Sequence, residues 1–155
     1  MKLSELLTEK DIKIDLKSKD KDGVLDELVS LLVLNQNIQD CKEKLLETVT
    51  AREKLMSTGI GEGIGIPHAK TDVLNKISAV FGKSKQGVAF DALDNEPVYL
   101  FFLLVAPQDQ SGPHVKALAR ISRLLKHSGF REKLKASSTP KEVISIIREE
   151  EEKHF

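Results

Sequence analysis

Four glycines recur at every second position from Gly59 to Gly65, and Ile66-Pro67-His68 follows at once. A helix tolerates this spacing badly, because each glycine costs about 1 kcal/mol relative to alanine. The run predicts backbone in unusual torsions or in close approach to another group, or simply a turn between a helix and a strand. Pro67 fixes its own φ and biases Ile66 toward an extended form, which holds His68 in one direction at the end of an element. Imidazole is a good nucleophile near neutral pH, with a free pKa of about 6.5, and can form a covalent intermediate. A lone loop histidine can equally be inert.

Two further residues could serve an anion beside it. Ser111-Gly112-Pro113 reads as a helix opening with proline in its first turn, and with Pro113 as the first helical residue His114 would sit in that turn too. The helix dipole there favours an anion and disfavours an imidazolium, so His114 is expected neutral, with one N–H to donate to a phosphate. It can also be read as a surface histidine near a cap. Arg52 lies just before the glycine run, and a guanidinium holds phosphate oxygens through paired hydrogen bonds. Its plainer reading is a C-terminal helix charge. Glu53 is a weaker candidate, as an acceptor behind the site.

Other chemistries fail on inventory. Gly-x-Gly-x-x-Gly would need glycine at 64 or 66, and both are isoleucine. No Gly-Lys-Ser/Thr run follows these glycines, and Gly82-Lys83-Ser84 has no glycine five positions before Gly82. The chain shows no motif for holding ATP, and no cofactor is expected. No two histidines or cysteines have metal-ligand spacing, so no metal is expected either. His127, at a basic helix end, and His154, in the tail, read as solvated, and Cys41 reads as a packing residue.

The elements that must position these residues intermix helices and strands. Ile12, Ile14 and Leu16 alternate with charged residues and predict a first strand with one buried face. Val24, Leu25, Leu28, Leu31 and Leu32 share one side of a helix, capped by Ser18 or Asp20 and ended by Asn35 and Asn37. A second helix is expected from about Asp40 to Met56, with Leu45, Leu46, Val49 and Leu55 inward. Strands are expected at Ala79 to Gly82, near Val88 to Phe90, and at Val98 to Val105. The last is apolar throughout and so central in a sheet. Val115, Leu118, Ile121, Leu124 and Leu125 form the stripe of the helix carrying His114. Thr139-Pro140-Lys141-Glu142 is a capping box that opens the last helix, whose buried face is Val143, Ile144, Ile146 and Ile147. Its four consecutive glutamates read as a solvated, fraying end. The fold class expected is α/β, a three-layer α/β/α sandwich with a mixed central sheet.

The 155 residues suit one domain spanning 1–155. Hydrophobic residues are 40% and charged residues 31%, which marks an ordinary globular chain. The net charge of zero argues against nucleic acid as the main partner. The longest apolar stretch, Val98 to Ala106, is too short to enter a bilayer as a span, so no direct membrane insertion is expected. One cysteine and no signal-like N-terminus point to the cytoplasm.

Taken together, Arg52-Glu53, the run Ser57-Thr58-Gly59-Ile60-Gly61-Glu62-Gly63-Ile64-Gly65-Ile66-Pro67-His68-Ala69-Lys70, Phe90-Asp91-Ala92-Leu93-Asp94, and His114 opening its helix resemble one family. It is the type-2 EIIA domain, fructose/mannitol family, of the bacterial phosphoenolpyruvate-dependent sugar phosphotransferase system. The resemblance runs from Leu3 to about Arg148. It implies a phosphocarrier in which His68 accepts a phosphoryl group from the phosphocarrier protein HPr. His68 would then pass it to a cysteine of a EIIB domain, supported by His114 and Arg52. Glycine-run N–H groups are expected to join them as oxygen ligands, with attack through Nε2 while a carbonyl or carboxylate holds Nδ1–H. Ile60, Ile64 and the segment from Pro107 to Gly112 are expected to rim the site. The EIIB and EIIC parts are expected on another polypeptide or outside this sequence. Phe81-Gly82-Lys83-Ser84 is closer to fructose members, which favours sugar transport. The alternative is a nitrogen-type regulator, in which phosphorylation of His68 controls binding to target proteins. A third reading is an interaction domain with no chemistry.

Overall fold

The apolar run from Val98 becomes the middle of the sheet, as a strand buried on both faces must. The computed structural model describes residues 2–155. Among them, six strands form one mixed sheet: β1 (Ile12–Lys13), β2 (Gly59–Gly61), β3 (Ile64–Gly65), β4 (His68–Thr71), β5 (Ser78–Val88) and β6 (Val98–Pro107). The order is β1-β5-β6-β3-β2, with β4 also on β6. β5 and β6 are antiparallel, whereas β3 and β4 both run parallel to β6 along the same edge, at Leu100–Phe101 and at Leu104–Pro107. Between them lie Ile66 and Pro67. Proline has no N–H for a ladder, so the strand is interrupted there and resumes at His68.

Six α-helices cover the two faces: α1 (Leu3–Leu6), α2 (Lys21–Asn35), α3 (Lys42–Leu55), α4 (Ser111–Leu124), α5 (Ser128–Ala136) and α6 (Pro140–His154). Alternation along β6 divides the core. Leu100, Phe102, Leu104 and Ala106 pack with α4, α5 and α6. Phe101, Leu103 and Val105 pack with α2 and α3, joined by Val98, where the alternation breaks at the start of the strand. The result is the expected three-layer α/β/α sandwich with a mixed sheet. Helix ends follow the signals in the chain. Asp20 accepts from the Gly23 N–H at 2.7 Å, and Asn37 leaves α2 at a φ of 57°. Thr139 accepts from the Glu142 N–H at 3.1 Å, while the Glu142 carboxylate accepts from the Ser138 hydroxyl rather than closing the box on the Thr139 backbone.

Three expectations fail in whole or in part. The first strand has no single buried face: Ile12 enters one core cluster and Leu16 the other. Leu55 and Val115 leave the stripes assigned to them and are 83% and 65% exposed. α4 does open at Ser111 with Pro113 in its first turn, as the third residue rather than the first, and the His114 N–H is already bonded to the Gln110 carbonyl. The glutamates of α6 are only half a solvated end: Glu149 and Glu152 are exposed, whereas Glu150 and Glu151 are buried. Glu151 is 3% exposed and accepts from the Leu3 and Ser4 N–H groups at 2.7 and 3.0 Å, and from Arg120 at 2.9 Å.

Candidate active site

His68 opens β4 as that strand resumes after Pro67. Its Nδ1 lies 2.8 Å from the Ile66 carbonyl oxygen. A carbonyl only accepts, so Nδ1 carries the proton and Nε2 is left with its lone pair. The carbonyl is available because Ile66 turns its N–H the other way, onto the Thr58 carbonyl at 3.0 Å. Burial pushes the His68 imidazole below its usual range. The Ile66 carbonyl opposes this, the Arg52 guanidinium adds to it and Glu53 opposes it.

α4 brings His114 to the same place. The two rings meet edge to face, with centroids 5.6 Å apart. His114 is buried, and its Nε2 has no hydrogen-bond partner among the described residues. Its pKa falls to about 4, through burial first and then through the charges of His68 and Lys70. Burial thus favours the neutral state expected of His114.

Arg52 comes from the last turn of α3, where its Nη1 donates to the Met56 carbonyl at 2.8 Å. Arg52, His68 and His114 line one open cleft of about 720 Å³, together with Thr48, Lys70, Gln108, Ser111 and Val115. The cleft lies at the β4 edge of the sheet, between α3 on one side and α4 on the other. Lys70 donates to the Ser111 hydroxyl across it at 3.1 Å. Lys70 follows His68 by two along β4, so both side chains fall on one face of the strand.

Behind the cleft, Glu53 is buried and holds Thr58 through both backbone N–H and hydroxyl, with Lys21 Nζ at 2.8 Å from the oxygen that accepts the Thr58 N–H. Lys21 is distant in sequence and carried no signal there.

The glycine run does not line the cleft. It makes a tight β2–β3 hairpin with positive φ at Gly61, Glu62 and Gly63, and Glu62 N–H donates to Asp94 at 3.1 Å. Ile64 is 2% exposed and belongs to the core rather than the rim, whereas Ile60 is exposed and Gln108 and Ser111 do reach the cleft.

A neutral imidazole pair beside a guanidinium and a lysine, in an open cleft on an α/β/α sandwich, is suited to carry an anion such as a phosphoryl group. Residues 5–150 match the family described as "Phosphoenolpyruvate-dependent sugar phosphotransferase system, EIIA 2". The chain is 39% identical over 149 residues to the PTS system fructose-specific EIIABC component of Bacillus subtilis. That match takes in 96% of this chain and 23% of the relative, so the chain spans less than a quarter of that protein's length. It is 36% identical to the PTS system fructose-specific EIIA component of Haloferax volcanii, covering 83% of each. The crystal structure of the nitrogen regulatory protein IIA-Ntr from Neisseria meningitidis superposes with a TM-score of 0.87 at 30% identity, over 94% of this chain and 98% of that one. The chain belongs to the type-2 EIIA family of the phosphotransferase system, and its role is that of a phosphocarrier. No helix among the described residues is long and apolar enough to cross a membrane.

Proposed function

We propose that His68 is the residue that carries the phosphoryl group, taken from phospho-HPr and delivered to the cysteine of a EIIB domain during fructose uptake. The observation that carries this is the hydrogen bond from His68 Nδ1–H to the Ile66 carbonyl, which leaves Nε2 as the nucleophile in the cleft. Nε2 attacks phosphorus in line, the donor's N–P bond breaks as the new one forms, and the donor nitrogen recovers its lone pair. Nδ1 keeps its proton, so positive charge develops on the ring against the Ile66 carbonyl. Transfer to EIIB reverses the step, with a thiolate as the attacking group.

Phosphoryl transfer passes through a loose transition state, so positioning and charge do most of the work. Arg52 and Lys70 supply positive charge in the cleft. His114 donates its otherwise unpartnered Nε2–H to a phosphoryl oxygen, which offsets the roughly 1–3 kcal/mol that an unsatisfied buried group costs. The exposed Val115 on the lip, and Leu55 and Met56 beyond Arg52, suit a transient protein partner.

The likeness to IIA-Ntr supports a second reading, in which the phosphorylation state of His68 controls a stable complex with a target protein. The deciding experiment is labelling by phosphoenolpyruvate with enzyme I and HPr, followed by chase onto a fructose EIIB. Acid-labile phosphate on the wild type and none on His68→Ala supports the acceptor, and chase onto EIIB supports transport. Equal labelling of His68→Ala overturns the assignment. Labelling that never leaves for EIIB, joined to a phosphorylation-sensitive complex, favours the regulator.

A further inference from the structure

A second cluster of histidines lies outside the cleft. His127 ends the segment between α4 and α5, and His154 sits in the last turn of α6, four residues after Glu150. Their imidazoles stack in parallel, with centroids 3.9 Å apart and planes at 5°. His154 Nε2 lies 2.9 Å from Glu150 Oε2, and one ligand atom from each of His127, Glu150 and His154 falls within 4.8 Å of the others. His127 and His154 lie 27 positions apart, so no spacing rule joins them; the packing of α5 against α6 does.

We infer that His127, Glu150 and His154 form a binding site for a divalent transition metal of the zinc class. Two imidazoles and one carboxylate are the donor set that zinc takes in open three-ligand sites, with a fourth position left to solvent. Donors around a tetrahedral zinc stand roughly 3.4 Å apart at the usual bond lengths, so the stacked rings would have to turn for their nitrogens to converge on one ion. Glu150 supports the reading independently. It is buried, and its one hydrogen-bond partner among the described residues is His154, although a carboxylate can accept about four hydrogen bonds. Its other oxygen is not sealed from solvent, so it is open to an incoming cation. His127 is exposed, so the metal has a path of entry. Magnesium and calcium, which prefer oxygen donors, do not suit the pair of nitrogens. A bound ion would tie the α4–α5 corner to the end of α6 and stabilise the fold by mass action.

The test is calorimetric titration of untagged, metal-free protein with zinc chloride. It is run on the wild type and on His127→Ala, His154→Ala, His68→Ala and Cys41→Ser. One saturable site is expected in the wild type, His68→Ala and Cys41→Ser, weakened about tenfold or more in His127→Ala and in His154→Ala. Side-chain nitrogen resonances of His127 and His154 in the intact wild type should shift on zinc addition and stay put with magnesium. Absence of saturable binding overturns the site, as does binding that survives both histidine substitutions or vanishes in His68→Ala.

Discussion

At the scale of single residues, His68 is held through a relay rather than by one partner. Glu53 fixes Thr58, the Thr58 carbonyl accepts from Ile66 N–H, and the Ile66 carbonyl accepts from His68 Nδ1–H. If His68 carries the phosphoryl group as proposed, Glu53 is a positioning residue. Glu53→Gln should slow phosphorylation by about tenfold, in the lower range for losing a supporting partner. Because the Glu53 charge raises the His68 pKa, the same variant should lower it further in an NMR titration, a shift that mere loosening of α3 would not give. His114 makes a separate prediction. Its pKa is depressed to about 4, so the folded state takes up fewer protons than the unfolded chain as pH falls. Its contribution to stability is intact above the ordinary histidine pKa of about 6.5 and is lost as pH falls through about 4. Urea midpoints between pH 7 and pH 4 should fall less in His114→Asn than in the wild type.

At the scale of elements, the end of α6 does more than a charged tail would. Glu151 closes the N-terminus of α1 and pairs with Arg120 of α4, so three helices meet on one carboxylate. Burial alone would raise the Glu151 pKa, but the donors from Ser4, Arg120 and Leu3 hold it below its usual range. Glu151→Ala should cost about 2–4 kcal/mol in denaturant unfolding, because it leaves Arg120 and two helix N–H groups without their partner. Hydrogen exchange at Leu3 and Ser4 should rise with it. The hairpin of β2 and β3 has its own requirement. Gly63 sits at a φ of 78° with Tyr99 3.3 Å from where a Cβ would stand, so Gly63→Ala should lower the unfolding midpoint while leaving the cleft residues in place.

At the scale of the whole molecule, β6 belongs to both halves of the core. Phe101 faces the α2 and α3 side, and Phe102 the α4 to α6 side. Neither layer can melt without exposing a face of the same strand, so unfolding should be a single transition by far-ultraviolet dichroism and by tyrosine fluorescence alike. Phe102→Ala should lower stability by about 3–5 kcal/mol in urea and still show one coincident transition. Two separated transitions would mean the layers fold independently.

Much of this was legible in the chain because it rests on local rules. Apolar periodicity marked α2, α3, α4 and α6, the unbroken run from Val98 marked the central strand, and Asp20 and Thr139 marked their caps. The type and order of residues around His68 were enough to single out His68, His114 and Arg52 as candidates. What only the tertiary structure decided is how groups far apart in sequence pair. Glu151 is buried because α1 brings two unsatisfied N–H groups to it, and Lys21 meets Glu53 only because α2 packs on α3. His127 and His154 touch because α5 packs on α6. The glycines turned out to shape a hairpin beside the cleft, since backbone freedom is written in the residue type but its use is set by the neighbours. Sequence determines which segments can bury a face and which side chains can do chemistry. The fold decides which of them share a dry, close space, because burial and proximity are properties of the packed chain and not of any one segment.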